Sequence, residues 1–204
     1  MKKQVIVIHG GTSFETYKDY ISYLKSREIS IERLRPRKDW KSTLAPALGS
    51  DYDVLMPRMP NSTNARYAEW RLWFNRISEV FNDKDLILIG HSLGGIFLAK
   101  YLTENIFPKK IKSTILIAAP YDNSDNLDKR ESLKDFNLPP TLEKLANQGG
   151  EIYLIHSKDD EVVPFEQLAK YKQALPSAKA LVFEDRGHFN QETFPEIIEI
   201  IKSI

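Results

Sequence analysis

The chain has no cysteine among its 204 residues. That excludes a disulfide framework, a thiolate metal centre and a thiol nucleophile. Neither sign of charge is in excess: 29 Lys and Arg stand against 28 Asp and Glu, a net charge of +1. Such a balance offers nothing for a phosphate backbone to bind, so no nucleic-acid partner is expected. No continuous apolar run approaches the roughly 18 residues of a membrane-spanning helix. The Lys-flanked apolar start, Val5 to Ile8, stops at His9-Gly10-Gly11, too soon for a signal-peptide core. A cytoplasmic protein with no membrane partner is the expectation. Repeats, low-complexity tracts and linkers are also lacking, so residues 1–204 read as one domain. The composition, 42% hydrophobic and 28% charged, is that of a globular chain able to bury a sizeable core.

What is there is an alternation. Val5–Ile8, Val54–Met56, Leu86–Ile89, Ile115–Ala118, Ile152–Ile155 and Ala180–Phe183 are short apolar runs rich in β-branched residues. Most are continuous rather than alternating, as strands covered on both faces require. Between them lie helical patterns. Tyr67, Trp70, Trp73, Phe74, Ile77 and Phe81 recur at three-to-four spacing, as do Ile197, Ile198, Ile201 and Ile204. The second pattern opens with Thr193-Phe194-Pro195-Glu196, which predicts a capping box. Residues 28–50 read as extra turns and a short helix. Residues 120–140 are polar and charged, and a loop of that length suggests a short lid over a site. The fold class predicted is α/β: a mostly parallel sheet of about six strands with helices on both faces.

The strongest chemical signal is Gly90-His91-Ser92-Leu93-Gly94-Gly95, placed between a strand and a helix-competent run. A serine hydroxyl is a weak nucleophile and must be presented unshielded to a base and a substrate. A sharp strand-to-helix turn does this, and glycines two residues to either side relieve the crowding it creates. The base must then be one of four histidines. His9 and His91 sit within glycine turns and read as structural. His156 ends a strand. His188, in Asp185-Arg186-Gly187-His188-Phe189, follows the last strand, and the carboxyl ends of strands are where open α/β sheets bind ligands. The carboxylate that would orient it lies in His156 to Pro164; Asp160 is favoured, with its neighbour Asp159 as the rival. Two backbone donors should face a developing oxyanion, the amide of Leu93 and that of Gly11, with Thr12 as the alternative to Gly11. Phe14, Trp70, Tyr121 and Phe189 are candidates to line the substrate pocket. Asp159-Asp160 lacks further ligands at metal spacing, and His9-Gly10-Gly11-Thr12 lacks dinucleotide-binding glycine spacing, so no cofactor or metal is expected.

Taken together, these residues resemble the α/β-hydrolase superfamily over essentially the whole chain. More narrowly, the sequence resembles the small serine hydrolases of the retinoblastoma-binding protein 9 type. The likeness rests on the early His9-Gly10 turn, Met59-Pro60-Asn61 followed by the Trp70 helix, Gly90-His91-Ser92-Leu93-Gly94, Asp160-x-x-Val163-Pro164 and Gly187-His188-Phe189. It implies an α/β-hydrolase fold with a minimal cap, a Ser92–Asp160–His188 triad and cleavage of small acyl esters. Thioesterase, lactonase or amidase chemistry on the same triad, or a hydrolase fold used as an interaction module, are the alternatives. The family's reported partner role runs through a Leu-x-Cys-x-Glu motif, which a chain without cysteine cannot carry. The partner implied is a small ester or acyl substrate.

Overall fold

The computed structural model describes residues 2–36, 38–82, 85–124 and 131–204. The six apolar runs form six strands: β1 (Lys3–Ile8), β2 (Tyr52–Leu55), β3 (Leu86–His91), β4 (Ile111–Ile117), β5 (Glu151–Ser157) and β6 (Lys179–Phe183). They make one sheet in the order β2-β1-β3-β4-β5-β6, and every neighbouring pair is parallel. After β1 the chain crosses outward to β2 and then returns to lay β3 on the other flank of β1. The loops leaving β1 and β3 therefore diverge and open a crevice at the carboxyl edge of the sheet.

The strands' continuous hydrophobicity has a direct cause. Successive side chains enter opposite layers, and both layers are covered. Ile6, Ile8, Leu86, Leu88, Leu116 and Leu154 face one layer, with helices α4 (Tyr67–Ser78), α5 (Leu93–Glu104), α6 (Glu143–Gln148) and α7 (Glu166–Ala174). Val5, Val7, Ile87, Ile89, Ile115, Ile117 and Ile155 face the other, with α3 (Trp40–Leu48) and α8 (Pro195–Ser203). Two further helices, α1 (Tyr17–Ser26) and the single turn α2 (Ile31–Leu34), lie between β1 and α3. None of these helices is long and apolar enough to cross a membrane.

Some local expectations give way to packing. The capping box expected at Thr193 to Glu196 is not made. Phe194 takes the cap position of α8 without a side-chain cap bond, and Glu196 instead accepts a 2.6 Å hydrogen bond from Arg186. Burial of Phe194 against Trp40, Phe183 and Phe189 sets the helix entry there. A capping box does occur at α1, where Thr16 and Asp19 hydrogen-bond reciprocally. The α8 stripe gains Ile200, which is buried beside Ile197 and Ile201. On α4, Trp73 points outward, 43% exposed, whereas Trp70 and Phe74 are fully buried. Of the expected 120–140 lid, residues 125–130 lie outside the described residues, and a short 3-10 turn at Lys134–Phe136 docks Phe136 into the core.

Phe74 meets the rings of Phe81, Phe97, Tyr101 and Phe107 between α4 and α5. Truncating it leaves a cavity those rings cannot fill. Phe74→Ala is expected to lower unfolding stability by about 3–5 kcal/mol in urea titration. The exposed Val80→Ala, read the same way, is expected to shift it by no more than about 0.5 kcal/mol.

Candidate active site

The strand β3 ends at His91 and α5 begins at Leu93, so Ser92 alone turns the chain. Its backbone sits at φ 56° and ψ −125°, a region L-residues avoid. Tertiary contacts hold it there. The Ser92 N–H donates to the Ile117 carbonyl of β4 at 2.9 Å, and its own carbonyl accepts from Gly95 N–H at 2.8 Å. The helix lies almost on the sheet. A Cβ placed on Gly94 would stand 2.3 Å from the Ile8 carbonyl oxygen, and one on Gly90 would stand 2.4 Å from the Gly94 carbonyl oxygen. Both positions exclude any side chain.

The structure brings His188 and Asp160 together. Asp160 follows β5, His188 follows β6, and His188 Nδ1 lies 2.9 Å from Asp160 Oδ2 and 3.1 Å from Oδ1. The carboxylate is buried, and its Oδ1 also accepts the amides of Val162 and Val163 at 2.8 and 2.9 Å. Asp159 turns the other way. It accepts from the Ser157 hydroxyl and, at 2.8 Å, from the Gly187 amide, and those bonds hold its carboxyl below the usual carboxylate range. Asp160 thus faces the imidazole while Asp159 braces the loop that carries it.

The same loop is pinned from behind. His91 Nε2 donates to the His188 carbonyl at 2.8 Å, and Trp40 Nε1 donates to the Phe189 carbonyl at 3.0 Å. The backbone has positive φ at Gly187 and Phe189, and full burial of the Phe189 ring holds its unfavourable conformation in place. His156 Nε2 donates to the Val163 carbonyl at 2.8 Å and lies 3.7 Å from Asp160 Oδ2. His9 accepts the Met59 amide on Nε2 at 2.9 Å and donates from Nδ1 to the Gly10 carbonyl at 2.6 Å, as the structural reading of this residue expects. Burial lowers the pKa of both His91 and His156, so these rings stay neutral where a solvated imidazole would charge.

Ser92 and His188 line one cavity of about 520 Å³, walled also by Gly10, Gly11, Leu93 and Val163. No hydrogen bond to the Ser92 hydroxyl is formed among the described residues. The Thr12 amide, the alternative to Gly11 in the sequence reading, is engaged with the Ser62 carbonyl at 2.8 Å. The amides of Gly11 and Leu93 have no partner among the described residues. A Cβ on Gly11 would stand 2.5 Å from the Ser62 oxygen, so this loop too requires glycine.

The four aromatic pocket candidates are not among the described residues that line the cavity. Phe14, Trp70 and Phe189 are fully buried core residues. Trp70 donates to the Pro60 carbonyl at 2.7 Å, and Tyr121 packs on Tyr171 while its amide donates to Gln167. Apolar bulk took these rings inward. The wall is made instead by Tyr23, Arg27, Lys41, Leu133, Val162 and Asn190, whose sequence context marks them only as helix-end and loop residues.

Two outcomes follow from this geometry. Gly94→Ala is expected to abolish soluble expression or to lower the thermal midpoint sharply, because the clash is with backbone. For His91 and His156 the unfolded chain takes up protons near a pH of about 6.5 and the folded chain does not. Both residues therefore add stability above that pH and lose it progressively below. Urea midpoints between pH 8 and 5 should fall, and His91→Gln should flatten the decline.

A family model for serine hydrolases matches residues 34–201. Serine hydrolase RBBP9 of Rattus norvegicus is 30% identical over 154 residues, covering 75% of this chain and 78% of that protein. Among solved structures, the ydeN gene product of B. subtilis superposes with a TM-score of 0.75 at 20% identity, covering 99% of this chain and 98% of the other. A meta-cleavage product hydrolase from Pseudomonas fluorescens IP01 superposes with a TM-score of 0.64 at 15% identity, covering 98% and 88%. The architecture is that of the α/β hydrolases, and with the match running from the α2 turn to the last helix, the chain belongs to the serine hydrolase family.

Proposed function

We propose that this chain hydrolyses small carboxylic esters through an acyl-enzyme on Ser92. The observation that carries the reading is the buried Asp160 carboxylate against Nδ1 of His188, whose side chain lines the same cavity as the strained Ser92. With Nδ1 engaged by the carboxylate, His188 presents its other nitrogen, Nε2, as the base. Ser92 Oγ attacks the acyl carbonyl, and its proton passes to His188 Nε2. The carbonyl oxygen becomes an oxyanion facing the Leu93 and Gly11 amides. Collapse of the tetrahedral intermediate expels the alcohol, which takes the proton from His188. Water, deprotonated by the same imidazole, then releases the acid and restores Ser92.

The open donors at Gly11 and Leu93 support an oxyanion site, since preorganised amides cost no rearrangement as charge develops. The cavity, of about 520 Å³, favours compact acyl groups over long lipid chains.

A fluorophosphonate is expected to label wild type and not Ser92→Ala. A folded wild-type protein that fails to label would end the hydrolase reading. On p-nitrophenyl acetate or butyrate, His188→Ala should lower kcat by at least about a thousandfold, and Asp160→Asn by about ten-thousandfold. Asp159→Asn should cost far less. Comparing oxygen, sulfur and nitrogen leaving groups on one acyl chain separates esterase from thioesterase and amidase.

A further inference from the structure

The cavity contains one feature that simple esters do not explain. Its apolar wall, Leu93, Leu133, Val162 and Val163, suits an aliphatic chain, yet Arg27 and Lys41 line it too. Lys41 is ion-paired in place, with Nζ 2.7 Å from Asp39 Oδ2. Arg27 is not. Among the described residues it forms no salt bridge, and Glu131, the acid in the lining, is not paired with it.

The guanidinium is nevertheless positioned. Arg27 caps the carboxyl end of α1, where its amide donates to the Tyr23 carbonyl at 2.9 Å. Its Cζ lies 5.4 Å from the centroid of the Tyr23 ring. That ring packs at 5.0 Å on Phe14, which is fully buried and whose carbonyl accepts from Arg66 at 2.9 Å. Phe14 belongs to the loop that supplies Gly10 and Gly11 to the cavity. Through the Tyr23 ring, the exposed Arg27 side chain is tied to the packing around Phe14, and it lines the same cavity as Ser92. A planar guanidinium already in contact with an aromatic ring loses less freedom when a carboxylate pairs with it in the fork geometry it favours.

We infer that the substrates of this site are esters carrying a carboxylate, and that Arg27 is the specificity-determining residue that binds it. The inference rests on the hydrolase reading above and narrows it from small esters to anionic ones. The carboxylate could sit at the far end of the acyl chain or on the departing alcohol, and one guanidinium serves either.

Two substrate pairs test the idea. The first is p-nitrophenyl hexanoate against the p-nitrophenyl monoester of adipic acid, which exchanges a terminal methyl for a carboxylate. The second is the butyrate ester of p-cresol against that of 4-hydroxyphenylacetate, which places the carboxylate on the leaving group. Wild type should favour the carboxylated member of at least one pair by about tenfold or more in kcat/KM, mostly through KM. The pair that responds identifies the side. Arg27→Gln should bring that ratio to about one, Arg27→Glu should invert it, and added salt should compress it in wild type. A wild type that labels at Ser92 and turns over neutral esters but shows no preference in either pair overturns the inference alone. So does a preference that survives both Arg27 variants. Loss of Ser92 labelling in folded wild type overturns both readings together.

Discussion

Everything about this site depends on how closely α5 approaches the sheet. Gly94 rests against the Ile8 carbonyl and Gly90 against the Gly94 carbonyl, at separations that leave no room for one carbon atom. With the helix that near, the chain has a single residue in which to leave β3 and enter α5. Ser92 accepts the unfavourable backbone that results. Its conformation is a consequence of packing between an apolar helix and an apolar sheet, and the stability of that packing sustains the strain.

A second dependence concerns neutrality. Four histidines gather around the carboxyl ends of the strands, and three make hydrogen bonds that hold backbone rather than do chemistry. His91 fixes the His188 carbonyl and His156 fixes the Val163 carbonyl. Were these rings charged, two cations would be buried beside His188. Burial disfavours that state, so the imidazole facing Asp160 has uncharged neighbours.

Much of this was legible in the amino acids, for identifiable reasons. Strands covered on both faces have to be continuous apolar runs, so β1, β3, β4 and β5 could be read for that reason; the edge strands β2 and β6 are less buried and were legible from their β-branched residues and position in the alternation. The Ser92 turn could be read because only glycine fits at two of its positions. Asp160 and Asp159 could not be separated with certainty, since the turn after Ser157 decides which carboxylate faces the imidazole, and both have tasks there. Helix α1 escaped notice because it buries no side chain; its one marker was Thr16 three residues before Asp19. The cavity wall is not legible for a related reason. Phe14, Trp70 and Phe189 have the bulk for core or pocket, and bulk alone does not say which. Arg27 and Asn190 remain exposed in the fold, and only their place at the cavity's edge sets them apart from ordinary solvated surface.

The strands supply Ser92, Asp160 and His188 at their ends, while the enclosing wall comes from connecting segments that no strand pairing requires. On the proposed hydrolase reading, chemistry and selectivity would be carried by separate parts of the polymer. Mutations could remodel the second while leaving the first untouched, which gives this architecture room to diversify what it accepts without relearning how to react.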